Sequence, residues 1–300
     1  MRKGWTALTA VLTVAACGGE GAEPPQDGQA AQEVVADAPA SRGADIDRAL
    51  FEEKIQLART ERLDTLPINR IIVRVGESFI GTPYTPGTLE VEGPERLVVN
   101  LRELDCVTYV ENVLALARVI RSGETTFDAF LRELQRIRYR DGTLAGYPSR
   151  LHYFSEWIQN NQELGLVRDV SRQIGGQADP EVIDFMSRNA DKYPALADSS
   201  NLNAIRRIEA RLSSRPRYFV PEDRIADVAS AIEEGDIIAA TSSIRGLDIA
   251  HTGFAVMRDG QVHLMHAPLV GDSVHVSPTP LAQRILGIDG QDGIMVARPL

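Results

Sequence analysis

A cysteine nucleophile served by a histidine base is one route to covalent chemistry near neutral pH, and this chain has cysteine at positions 17 and 106 and histidine at positions 152, 251, 263, 266 and 275. Cys106 heads the run CVTYVENVLALARVI, in which Val107, Val110, Val113, Leu114 and Ala117 recur at helical spacing. That spacing predicts a helix opening at Cys106. Unpaired N–H groups in a first turn, with the positive end of the helix dipole, favour a thiolate over a thiol. The stretch before it, LVVNL at 97–101, reads as a short strand, so the predicted order is strand, loop, cysteine, helix. A helix-start cysteine taken alone is more often a small buried hydrophobe than a nucleophile. The case for chemistry therefore rests on finding its partners.

A thiol nucleophile needs a neighbouring base to take its proton and return it to the leaving group, and that base needs a third polar residue to hold it. Between two apolar runs stands Met257-Arg258-Asp259-Gly260-Gln261, and Asp-Gly so flanked is the strongest short hairpin signal. With Asp259 and Gly260 as the turn, Arg258 pairs with Gln261, and counting back sets Gly253 opposite His266. His251 and His266 then share one sheet face as diagonal neighbours. His263 falls opposite Val256 on the other face and reads as an ordinary strand histidine, and His275 is read the same way. Cys106, His251 and His266 are the candidate catalytic residues, for acyl transfer through a thioester that needs no metal and no other cofactor.

These residues must be positioned by the elements around them. Apolar periodicity predicts helices over 46–59, 68–79, 106–121, 126–137 and about 152–163, and weaker ones over 181–191 and 201–212. From Arg217 the texture changes to RYFV, a helix through Ile232, and then GDIIAAT, DIAHTGFAVM, QVHLMHAP, DSVHVS and GIMVARPL, punctuated by Gly, Pro and Asp. These are strands of an antiparallel sheet, and the fold class is α+β, with helices gathered before the sheet. The polar section 175–214 reads as an inserted helical cap. Four further residues are candidates for substrate contact. Tyr84, in a Gly- and Pro-punctuated loop, resembles a tyrosine that lines the cleft of a known enzyme family, Asp105 precedes Cys106, and Arg150 and Tyr153 lie in an aromatic stretch before Trp157. Each has a plainer reading: Tyr84 as a loop aromatic covering the core, Asp105 as the helix cap, and the other two as packing.

The N-terminus is organised differently. Residues 1–17 carry Arg2 and Lys3, an apolar run from Trp5 to Ala15, and Val14-Ala15-Ala16-Cys17, which resembles a bacterial lipoprotein box. The run is too short to span a bilayer as a helix. Lipidation at Cys17, with export to the periplasm or cell wall, is the expected fate, and an ordinary cleaved signal is the alternative. Residues 18–44 are Gly, Ala, Pro, Gln and acidic residues, the composition of a flexible tether. Residues 45–300 remain for the catalytic domain. The net charge is −10, and −12 once Arg2 and Lys3 are lost, so nucleic acid is an unsuitable partner.

Asp105-Cys106, His251-Thr252-Gly253 and Met265-His266-Ala267-Pro268 together resemble the NlpC-type cell-wall cysteine peptidases, which have a papain-like fold and act on peptidoglycan. More narrowly, Gly81-Thr82-Pro83-Tyr84, Asn100-Leu101-Arg102, Glu111-Asn112 and the Ser149–Phe154 stretch resemble the N-acetylmuramoyl-L-alanine amidase-like branch. The resemblance runs from about residue 68 onward, except that 175–214 does not align. It implies a Cys-His-His triad at Cys106, His251 and His266, and peptidoglycan or its fragments as partner. It also implies cleavage between N-acetylmuramic acid and L-alanine. An endopeptidase cutting γ-D-glutamyl-diamino acid bonds and a catalytically silent cell-wall-binding lipoprotein are the alternatives.

Overall fold

A run of apolar side chains on nearly every side of one helix dictates the architecture. Helix α3 (Cys106–Ser122) buries Val110, Val113, Leu114 and Ala117 completely, so it must be surrounded. A computed structural model describes residues 39–269 and 272–300, with side chains from residue 43. The signal, Cys17 and the tether as far as residue 38 lie outside these described residues. Around α3 pack α1 (Pro39–Thr60), α2 (Ile68–Glu77) and α4 (Phe127–Arg138), and α5 (Phe154–Glu163) closes the helical layer against α4. Helix α1 begins inside the stretch expected as tether, so the ordered chain starts before residue 45.

The sheet is antiparallel. Its strands are β1 (Val167–Asp169), β2 (Gln177–Asp179), β3 (Arg217–Pro221), β4 (Ile237–Ser242), β5 (Ile249–Arg258), β6 (Gln261–His266), β7 (His275–Val276) and β8 (Gln291–Pro299). They run in the order β2-β3-β8-β4-β5-β6-β7, with β1 also on β8. Strand alternation sorts side chains to two faces. Ile237, Ala239, Phe254, Val256 and Met265 pack on the α3 side. Ile238, Ala240, Ala255, Val262 and Leu264 face the opposite way, covered by α8 (Ile225–Val228) and α9 (Leu281–Leu286) through Ile225, Leu281 and Ile285. This mixture of helices and antiparallel sheet is the α+β class expected from the sequence.

The hairpin forms with the register counted from its turn. Arg258 pairs with Gln261, Val256 with His263 and Phe254 with Met265. Asp259 and Gly260 take φ of 50° and 75°, the positive pair that a two-residue turn of this type requires.

Three expectations are corrected. Residues 97–101 form no strand, because side chains take the backbone groups a ladder would use. Arg138 Nη1 donates to Val98 O (2.5 Å), and Leu101 N donates to Asp47 Oδ1 (2.9 Å). The helix expected over 181–191 shrinks to the single turn α6 (Phe185–Arg188). Section 175–214 is only partly a helical cap, since β2 within it extends the sheet beside β3. Its helix α7 (Ser199–Ser213) buries Ile205, Ile208 and Leu212 in a separate cluster with Tyr147, Tyr153, Ile183 and Met186.

Candidate active site

Helix α3 starts where it does because Asp105 caps it. The Asp105 carboxylate accepts from Thr108 N (2.7 Å), while Thr108 Oγ1 accepts from Asp105 N (2.9 Å), a reciprocal capping box. Cys106 is therefore the first helical residue, a free, half-buried cysteine. Strand β5 meets it directly, as Thr252 Oγ1 donates to Cys106 O (2.7 Å). The residue before Thr252 is His251.

The two histidines chosen by register are bonded to each other. His251 Nε2 and His266 Nδ1 are 2.7 Å apart, with the rings edge to face at 4.9 Å. Gly253 makes this possible: a Cβ there would sit 2.6 Å from Met265 O and 2.9 Å from His266 Cβ. A larger residue would push the strands apart where the imidazoles join. His263 lies elsewhere, buried, with Nδ1 donating to Ser277 O (2.9 Å).

The electrostatics correct one expectation. Burial, and then the Asp105 carboxylate, push the Cys106 thiol up to about 11, against hydrogen bonds from Thr252 and from its own N–H. Desolvation and a like charge thus act against the thiolate that a helix start favours. Burial, with help from Arg284 and His275, pushes His251 down to about 3. His266 is lowered by burial, His251 and Arg284. The free site thus pairs a neutral thiol with neutral imidazoles.

Tyr84 belongs to this site. Its segment stitches the loop before Cys106 to residues 272–274, just before β7. Tyr84 N donates to Asp272 O (2.8 Å), Val274 N to Thr82 O (2.9 Å) and Leu104 N to Pro83 O (3.0 Å). Burial, Cys106 and Asp105 together raise its hydroxyl to about 12, which places the phenol close to both.

Arg150 and Tyr153 take different places. A cavity of about 210 Å³ is lined by Asp105, Val107, Arg150, Tyr153, Met186 and other residues. It shares Leu89, Glu90 and Arg150 with a larger one of about 640 Å³. Arg150 is buried in ion pairs with Glu90 (2.7 Å) and Glu95 (3.2 Å), so its charge is already matched. The Tyr153 hydroxyl donates to Glu209 (2.7 Å) and accepts from Met186 N (2.8 Å). Both brace the cleft wall rather than present a free group to substrate.

Reading the sequence alone misses Thr252, His275 and Arg284. The pattern His251-Thr252-Gly253 held a signal for Thr252, a hydroxyl beside a strand histidine. His275 stands opposite His266 in the β6–β7 pairing, not apart from it. Arg284, on α9, is close enough to bear on Cys106, His251 and His266, and nothing in its sequence context marks it. Among the described residues, no cluster of three or more His, Cys, Asp or Glu is arranged to hold a metal ion.

The chain is similar to several proteins of known structure. An N-acetylmuramoyl-L-alanine amidase from Bacteroides uniformis ATCC 8492 superposes with a TM-score of 0.74 at 37% identity, covering 77% of this chain and 98% of its own. A Bacteroides fragilis protein provisionally named a xylanase gives 0.71 at 39% identity, covering 74% and 98%. A Legionella pneumophila str. Philadelphia 1 protein of the DUF1460 family model shares the fold, with a TM-score of 0.65 at 21% identity over 86% and 97%. No curated protein matches. The family model for AmiA-like, N-acetylmuramoyl-L-alanine amidase-like proteins matches residues 74–290, and it is to this family that the chain belongs.

Proposed function

We propose that this protein is a cysteine amidase with a papain-like, NlpC-type catalytic core that cleaves peptidoglycan between N-acetylmuramic acid and L-alanine. The observation that carries this reading is the 2.7 Å bond between His251 Nε2 and His266 Nδ1, on the strand whose Thr252 holds the Cys106 carbonyl. With Nε2 of His251 engaged, its Nδ1 is left to serve the thiol. The choice of bond is supported by the family and by the name of the Bacteroides uniformis relative.

The reaction begins from a neutral pair. As the Cys106 sulfur attacks the lactyl carbonyl, its proton passes to His251 Nδ1, and His266 stabilises the imidazolium that forms. The Cys106 N–H, with the Tyr84 hydroxyl beside it, stabilises the oxyanion. His251 then returns the proton to the alanyl nitrogen, the C–N bond breaks, and a thioester remains. Water, deprotonated by His251, attacks the thioester and releases the lactyl carboxylate with the thiol restored. Export and lipidation at Cys17 would set this chemistry at a membrane surface facing the wall.

The test is mass analysis of purified muropeptides after incubation with the full chain. The expected products are the sugar lactyl acid and a stem peptide with a free L-alanine amine. Cys106→Ser should lower turnover at least about a thousandfold. Stems cut after D-glutamate would make the protein an endopeptidase, and unchanged muropeptides a silent binder.

A further inference from the structure

His266 has two ring nitrogens, and only one is accounted for. Nδ1 meets His251, while Nε2 is buried without a hydrogen-bond partner, on a residue only 2% exposed. A buried polar nitrogen left unmatched is costly. Directly opposite His266 across β6 and β7 stands His275, with ring centroids 5.0 Å apart and planes at 68°.

The bonding partners fix each tautomer in turn. For His251 to accept the thiol proton at Nδ1, that atom must carry a lone pair, so its hydrogen is on Nε2. That hydrogen is donated to His266 Nδ1, which must then be an acceptor. The hydrogen of neutral His266 is consequently on Nε2, the unmatched atom. His275 Nδ1 lies 2.9 Å from Ser273 O, and a carbonyl only accepts, so His275 carries its hydrogen there. Its Nε2 then carries the lone pair that an N–H seeks.

We propose that His275 is a positioning residue for the amide hydrolysis put forward above, accepting the Nε2–H of His266 directly or through one water and so fixing the tautomer that makes His251 a base. The proposal rests on that reading of the site. The groups facing His266 are His251 on β5, His275 on β7 and Arg284 on α9. Cys106 and Asp105 at the start of α3 act on Tyr84, whose segment pairs with residues 272–274 just before His275. Arg284 keeps one hydrogen bond, to Gln291 Oε1 (3.3 Å), and its charge disfavours protonation of the rings before the thiol gives up its proton.

The test is nitrogen-15 NMR of the full chain labelled at histidine, which reads each ring's tautomer without any substrate, combined with kinetics on muropeptides. Wild type should show His266 as the Nε2–H form. His275→Phe keeps the ring but loses the acceptor. It should give mixed tautomers at His266 and a loss of about 10- to 100-fold in kcat, with KM within about threefold. His275→Gln restores an acceptor and should recover kcat to within about fivefold of wild type. A wild-type His266 in the Nδ1–H form overturns the proposal even if no variant folds. A His275→Phe protein with the wild-type tautomer and kcat overturns it as well. Near-full turnover by Cys106→Ser would instead overturn the cysteine mechanism, leaving the tautomer measurement to stand by itself.

Discussion

Asp105 does two opposed things with one carboxylate. As the cap of α3 it contributes about 1 kcal/mol, and as a charge beside Cys106 it holds the thiol protonated. The rate of Cys106 alkylation by iodoacetamide follows the thiolate fraction, so it should climb with pH toward a midpoint near 11. Asp105→Asn keeps the capping acceptor and removes the charge. Its midpoint should fall and its rate at pH 8 rise by roughly tenfold, and an unchanged profile would show that burial alone sets the thiol. The histidines differ just as sharply. His266→Ala should cost about tenfold to a thousandfold in turnover, because it frees the ring of His251, whereas His263→Ala should stay within about threefold. The reverse ranking, measured on the same muropeptide, would undo the register argument. His251 and His266 were legible in the sequence because a two-residue turn makes face a matter of counting. His275 was not, since β7 is too short to carry a pattern from which its pairing with β6 could be counted.

At the level of elements, the helices most visible in the sequence are those that bury a stripe. Helices α2, α3 and α4 begin and end within about two residues of their predicted limits, the usual scatter of such boundaries. Where polar side chains do the holding, periodicity says little, and the 97–101 segment and the cap were misjudged for that reason. The same polar holding joins α3 to α4. Glu111 and Arg138 form an ion pair at 2.6 Å, each side chain 2% exposed, and Arg138 also holds the Val98 carbonyl. Glu111→Gln would strand the guanidinium and should destabilise the fold by about 3–5 kcal/mol in urea titration. Replacing both residues with leucine should recover most of that loss. A double variant no more stable than Glu111→Gln would mean that the Val98 contact, rather than the pair, is what matters.

For the whole molecule, the first question is where it resides. No helix among the described residues is long and apolar enough to cross a membrane, and the anchor proposed above is the lipid on Cys17. Cys17→Ala should move the protein from the membrane fraction to the soluble one. A soluble wild-type protein with an unacylated Cys17 by mass spectrometry would remove the anchor. A further consequence lies in the position of β8. It is the last strand in chain order, yet it sits in the middle of the sheet, between β3 and β4. Until residues 291–299 are in place, β4, the strand that flanks His251's own, has no neighbour on that side, while Cys106 waits on a contact 146 residues downstream. Such long-range closure makes folding slow and late. Under the proposed export and activity, a chain that crosses the membrane unfolded would be unable to cut until that closure is made, its own order of assembly acting as a delay.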